Sequence, residues 1–355
     1  MTGQLSRIKH GYRFVWSNHF VLIITIVYFL IICMIFPYTI SLRNLSNLSS
    51  NMWPLLALVI GQMFVMLVAG IDLSQTSIMA VASVAGAMVM ADGFDAEKFS
   101  NNPLWGIAIF ENGGLLSGSS FAVPVAICIM LLVGTFIGFI NGISVAKFKI
   151  PSFMVTLVSM SFFSGLAIYM THSENIRYLP ESFIAIGKGS LGVLSYSMFL
   201  TLFLALLAWI ILNRLIIGRW IYAVGMNIKV SAVSGVPCSK VIVFAYMFSG
   251  FCAAAGSILY TARLEAGRPT LGENLLLDII GSAVIGGISL FGGKGKLTSA
   301  VYGVLFFVVL NNSLNKMPLN FYLIDIIKGL IILIAALLDV FSNRLNQISM
   351  KVQEA

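Results

Sequence analysis

Asp72 is the side chain in this sequence whose chemistry is hardest to ignore. It sits in LVAGIDLSQTSIMAV, 67–81, and no lysine or arginine lies within twenty positions on either side. A charge at the centre of a bilayer costs about 3 kcal/mol on insertion scales, so in an apolar chain such a group does not face lipid. Two readings follow. In one, Gly70 lets the backbone break and Asp72 or Ser74 caps the first turn of the next helix, satisfying amides that lipid cannot. In the other, Asp72 lines a wet path. The two are compatible, since a capped break can line a vestibule.

Other polar residues in apolar surroundings are few. Asp278 falls near the expected outer end of an apolar span, where capping, snorkelling and a path role all fit. Asn141, Asn311 and Asn312 suit hydrogen bonds between helices or a polar path. Asp325 and Lys328 are three apart on one expected helix and can neutralise each other.

Catalytic chemistry is poorly represented. His10, His19 and His172 lie at or near expected helix ends and form no HExxH, and no GxSxG is present. The lysines of FGGKGK, 291–296, lack the spacing of a phosphate loop, so Gly292, Gly293 and Gly295 read as a tight turn. Cys33, Cys128, Cys238 and Cys252 are single and widely spaced, which reads as packing without a disulfide or a ligand cluster. No cofactor and no metal is expected.

The solvent of these residues follows from composition. Hydrophobic residues make up 59% of 355 and charged residues 10%, with mean hydropathy +0.98. So few charges cannot cover a soluble globule, which points to a bilayer. A net charge of +8 raises nucleic acid as a partner, but the basic residues are scattered between apolar runs and form no patch, so nucleic acid is excluded. At about 20 residues per span, the expected fold is all-α and polytopic with about ten spans. They cover 20–40, 52–69, 74–91, 121–145, 152–171, 193–212, 241–261, 275–290, 297–313 and 321–340. The first run is too long for a signal peptide and lacks a small-residue cleavage site, so it reads as a retained helix.

Placing the N-terminus in the cytoplasm puts thirteen basic residues inside, among them Arg7, Lys9, Arg13, Lys147, Lys149, Arg214, Arg219, Lys294 and Lys296. Seven fall outside, including Lys98, Arg177, Lys188, Arg263 and Arg268. That asymmetry fits the positive-inside rule and leaves both termini cytoplasmic. The expected organisation is a cytoplasmic segment 1–19, one transmembrane domain 20–341 and a cytoplasmic tail 342–355.

Two connections stand out. The outer loop 92–120 is rich in Gly, Asn and Ser. The inner segment 213–240 contains GMNIKVSAVSGVPCSK, opened by Gly225 and closed by Gly235 and Pro237, with room between for about three helical turns. Val230, Val233 and Ser234 fall on one face beside Lys229. An interfacial connector and a docking element both fit. There is also an internal echo: AGIDLSQTSIMAV and GGISLFGGKGKLTSAV each follow an apolar run, break it with glycine and start another, as duplicated transporter halves do.

The chain resembles the membrane subunits of bacterial ATP-binding-cassette importers for ribose, xylose, galactose and the sugar-like autoinducer. The resemblance spans about 51–340. It rests on GIDLS at 70–74, NGISVAKFKIPSFMVTL at 141–157 and GRWIYAVGMN with SGV at 218–236, then AGRPTLGENLLLDIIGSAVIGGISLFGGKGK at 266–296 and LNNSLN with IIKGLIILIA at 310–335. It implies a permease without its own ATP site, paired with a second copy or a paralogue. A cytoplasmic ATPase dimer would drive it, an extracytoplasmic solute-binding protein would feed it, and its cargo would be a sugar-like solute. It further implies that Gly225, Asn227, Lys229, Val230, Ser231, Val233, Ser234 and Gly235 form the coupling element on the ATPase. It supports a role for Asp72 near the helix break without fixing that role, so Gly70, Asp72 and Ser74 stay candidates for the break or the translocation path. This chain departs from the family pattern in Gln75-Thr76-Ser77, where Val-Gly-Ser is usual, and in Ile228-Lys229-Val230. An ion-driven secondary transporter using Asp72 or Asp278, and a permease for another small polar solute such as a nucleoside, are the rival readings.

Overall fold

The computed structural model describes residues 18–100, 102–191 and 194–354. Arg7, Lys9, His10 and Arg13 therefore lie outside the described residues, as does Val193 at the expected start of a span. The helices in chain order are α1 (Asn18–Ile35), α2 (Leu42–Leu67), α3 (Gln75–Met90), α4 (Ala96–Phe99), α5 (Ala122–Ala146), α6 (Ser152–Thr171) and α7 (Glu181–Lys188). They continue with α8 (Tyr196–Arg214), α9 (Ile216–Met226), α10 (Ile228–Val233), α11 (Cys238–Leu264), α12 (Leu276–Ile285), α13 (Leu297–Leu314) and α14 (Phe321–Glu354). Two small antiparallel strand pairs, Ile109–Phe110 with Gly113–Gly114 and Ser190–Leu191 with Leu194–Ser195, qualify the all-α expectation.

Among the described residues, seven helices are long and apolar enough to cross a membrane: α2, α5, α6, α8, α11, α13 and the Phe321–Val340 part of α14. Three expected spans are shorter. The run expected over 20–40 leaves α-helix at Ile35, where Pro37 opens a 3-10 turn. The runs expected over 74–91 and 275–290 become helices of 16 and 10 residues, because each adjoins a glycine-bearing break. In the other direction, α2 starts at Leu42 and carries Pro54 inside it. Its polar opening LRNLSNLSS masks a continuous helix. α14 runs to Glu354, so the helix continues into the expected tail.

α2 and α3 form the centre. Every residue from Pro54 to Leu67 is buried, and α3 is buried on nearly all faces. α11 packs along α2, α3 and α5. Its contact with α5 is closest where Gly134, Gly138 and Gly142 recur every fourth residue. A methyl group at Gly142 would lie 2.8 Å from the Val243 Cα, and methyl groups at Gly134 and Gly138 would collide with the carbonyls of Gly250 and Tyr246. Small residues on one face let two backbones approach, which is how helices gain dispersion energy where no hydrophobic drive separates lipid from protein.

The loop 92–120 is tied to the helical body. Gly114 and Leu116 donate to the carbonyls of Ala91 and Val89 at 2.8 and 2.9 Å, and Asn102 donates to the Met170 carbonyl at 2.8 Å. It packs as an ordered cover on the end of α3.

Candidate functional site: the helix break and the 225–237 hairpin

Between α2 and α3 the chain leaves helical geometry from Val68 to Ser74, with Ala69 at φ 61°. Backbone at such a depth must find partners within the protein. Gly70 N–H donates to the Val65 carbonyl at 2.9 Å. Ile71 N–H donates to Ser152 Oγ at 3.3 Å, and its carbonyl accepts from Thr156 Oγ1 at 3.1 Å. Gly70 has no room for a side chain, since a methyl group there would meet the Tyr246 hydroxyl at 2.6 Å.

Asp72 is 1% exposed. Its Oδ1 accepts from the Ser74 backbone N–H at 3.0 Å and from Ser74 Oγ at 2.6 Å, and its Oδ2 accepts from Ser249 Oγ at 2.7 Å. Asn141 donates to Ser74 Oγ at 2.8 Å. Gln75 Nε2 donates to Ser249 Oγ at 2.8 Å, so Gln75 joins the same network. Asp72 thus caps the turn ahead of α3 and ties that turn to α5 and α11. No side chain caps the first turn of α3 itself, whose N-cap residue Ser74 makes no side-chain cap bond; Asp72 holds the turn before it.

The second buried acid is organised differently from the sequence expectation. Asp278, in the first turn of α12, forms an ion pair with Lys328 of α14 at 2.9 Å, the two side chains being 7% and 9% exposed. Asn311 Nδ2 of α13 donates to the other carboxylate oxygen at 2.8 Å. Lys328 therefore reaches across to Asp278 rather than along its own helix to Asp325, because the cross-helix partner is the more buried charge and has the greater need of compensation. Asn312 donates to Asn44 Oδ1 at 2.8 Å, tying α13 to α2.

At the opposite end of the break lies the hairpin 225–237. The expected three turns are fewer: α10 has 6 residues, and α9 ends at Met226 just before it. Asn227 caps α10, its Oδ1 accepting from the N–H groups of Lys229 and Val230 at 3.0 and 3.1 Å. Gly235 turns the chain at φ 82° with open space around it, and Val236 N–H donates back to the Ser231 carbonyl at 3.0 Å. Ser231 is the buried residue of α10. Val233 is 91% exposed, Met226 72%, Val230 60% and Ile228 48%. Four large apolar side chains on one short hairpin are too many to leave in water without a partner.

Gly225 joins this hairpin to the break. The Gly293 N–H donates to the Leu67 carbonyl at 3.0 Å, Tyr222 Oη donates to the Gly295 carbonyl at 2.9 Å, and Gly225 fits between Leu67 and Gly293 with no space for a methyl group. The FGGKGK segment is a turn, with Gly292, Gly293 and Gly295 at φ 84°, 68° and 152°. The two segments of the internal echo meet here, with Ala69 of the first against Gly292 of the second.

A family model described as the permease component of a branched-chain amino acid transport system matches residues 44–336. The chain belongs to this permease family. It is a multi-pass inner-membrane transport subunit, and in this family ATP hydrolysis is done by partner subunits. It is 32% identical to the ribose import permease protein RbsC of Haemophilus influenzae, over 96% of this chain and 97% of that protein. It is 32% identical to the ribose import permease of Bacillus subtilis over 79% of each chain. With the D-allose transport system permease protein AlsC of Escherichia coli it shares 29% identity over 85% of each chain. No solved structure matches.

Sequence reasoning missed the partner of Lys328 and the glycine ladder of α5. The second had a readable signal in GTFIGFING, 134–142.

Proposed function

We propose that this permease forms half of the translocation path of an importer for a monosaccharide or sugar-like solute. A cytoplasmic ATPase dimer drives it, an extracytoplasmic solute-binding protein feeds it, and a second copy or a paralogue supplies the other half. The relatives named for ribose, allose and galactose support the cargo class. The observation that carries the ATPase role is the hairpin 225–237, whose exposed Met226, Ile228, Val230 and Val233 are a ready docking surface on a rigid, capped turn.

The orientation is part of the proposal: about ten passes, both termini in the cytoplasm. Its support is that segments assigned to one side by charge alone meet in space. Leu67–Ala69, Gly225 and Gly292–Gly295 cluster at one end. Asp92, Arg177, Glu181 and Arg268 cluster at the other. The domain limits 1–19, 20–341 and 342–355 follow the same assignment.

In this mechanism ATP binding closes the ATPase pair and moves the docked hairpin. Gly225 transmits the movement to the end of α2 and so to the break at Gly70–Ser74. Such a link works only where the docking energy differs between the two states of the permease. Both buried acids are already engaged in fixed partnerships, Asp72 with Ser74 and Ser249 and Asp278 with Lys328 and Asn311. That favours the ATP-driven reading over a secondary transporter that uses either acid as its proton site. Labelled-sugar uptake in cells lacking the partner ATPase tests the reading. Uptake should vanish, and persistence at the original rate contradicts it.

A further inference from the structure

At the end of the molecule away from the hairpin lies an open cavity of about 630 Å³, walled by the turn after α6, the start of α7, the turn after α11 and the end of α3. Its volume is in the range of small-molecule sites. Its lining combines carboxylates (Asp92, Glu181, Glu265), guanidinium groups (Arg177, Arg268) and the phenol of Tyr178.

The walls are fixed before any ligand arrives. Ile176 and Gly267 exchange both backbone hydrogen bonds at 2.8 Å, and Asp92 N–H donates to the Tyr178 carbonyl at 2.8 Å. Arg268 N–H donates to Ser83 Oγ at 3.1 Å. Tyr178 and Glu265, both in the lining, hold φ at 57° and 53°, a left-handed conformation that costs a non-glycine residue energy and gathers at functional sites. Glu265 is paired with Lys188 at the rim. The Nε of Arg268 is buried without a hydrogen-bond partner among the described residues, although most buried polar atoms have one.

We propose that this cavity binds a neutral, polyhydroxylated solute directly, as a receiving site on the permease itself. With Glu265 neutralised by Lys188, two carboxylates face two guanidinium groups, so neither an anion nor a cation gains net Coulomb energy. A polyol suits both signs at once. Its hydroxyls donate to Asp92 and Glu181, its oxygens accept from Arg177 and Arg268, and the ring of Tyr178 offers an apolar face. The inference rests on the transport reading above only for the side from which the solute comes.

The test is a saturation-transfer NMR titration of the full chain in lipid nanodiscs, without ATPase or binding protein, using D-ribose, D-allose and D-galactose, with inorganic phosphate and choline as charged probes. At least one sugar should bind saturably, with Kd on the order of 1 mM. Arg268→Gln and Glu181→Gln should each weaken it about tenfold, with unchanged thermal unfolding in at least one of them, while Lys98→Gln leaves it unaltered. No saturable sugar binding, binding undiminished in both variants, or preference for phosphate or choline overturns the proposal. ATP-dependent uptake measured alongside separates the two readings. Uptake without cavity binding removes the receiving site alone, and cavity binding without ATP-dependent uptake removes the ATP-driven reading alone.

Discussion

Gly225 abuts Leu67 so closely that a methyl group on its Cα would overlap the Leu67 carbonyl oxygen and lie 2.6 Å from the Gly293 nitrogen. The neighbours are backbone atoms, which cannot swing aside. Gly225→Ala should therefore force apart the hairpin and the end of α2, at a cost of about 1–3 kcal/mol, and abolish coupled uptake. Gly235→Ala meets no atom within 4 Å and should cost only the left-handed backbone, about 1–2 kcal/mol, with uptake largely kept. Thermal unfolding and uptake of the two variants, compared side by side, check this. Equal loss of uptake in both contradicts the role of Gly225 as the joint.

Val233 is 91% exposed and makes no demand on the fold. Val233→Asp should insert normally and unfold at the parental temperature. Placing a charge where an apolar contact forms should weaken ATPase association by about tenfold or more, the worth of one buried valine. Co-purification of the ATPase with the variant measures it. Undiminished co-purification removes Val233 from the docking surface.

Asp72 accepts from two hydroxyls and one N–H. In Asp72→Asn the remaining oxygen keeps Ser74, and the amide donates to Ser249 in place of accepting from it. The variant should fold with a loss of about 1–2 kcal/mol, and Asp72→Ala should lose more because the Ser74 N–H and the hydroxyls of Ser74 and Ser249 lose their common acceptor. Detergent-solubilised melting curves distinguish the two. Equal stability of the Asn and Ala variants contradicts the capping role.

Breaking the pair Asp278–Lys328 from one side leaves a buried charge alone. Lys328→Met should destabilise by about 3–5 kcal/mol, and adding Asp278→Asn should recover most of it. A double-mutant cycle on unfolding reads the coupling. A single-variant loss no smaller than the double's supports the pair, whereas simple additivity contradicts it.

The membrane character and the main helices were legible in apolar run length alone. The limits of α6 coincide with the run 152–171, and α13 differs from its run by one residue. The break at Gly70 and the turn at Gly235 were legible because glycine and proline punctuate locally. The start of α2 was not, because its first turns are polar yet helical. Nor was the partner of Lys328. An i, i+3 pairing with Asp325 is a local rule, and the bond to Asp278 depends on how α12 and α14 meet. Asp72, Asn141 and Ser249 are 177 positions apart at the extremes, and only the packing of α3 on α5 and α11 makes them one network. The cavity was invisible for the same reason, since its lining comes from three separate segments of the chain.

The most direct measurement is accumulation of labelled ribose, allose and galactose in proteoliposomes that contain the purified chain, its ATPase and, on the outer side, its solute-binding protein. ATP supplied to the ATPase should drive accumulation of at least one sugar, and omission of the ATPase or replacement of ATP by a non-hydrolysable analogue should abolish it. Accumulation of a sugar by the chain alone, powered by a proton or sodium gradient, would contradict the account.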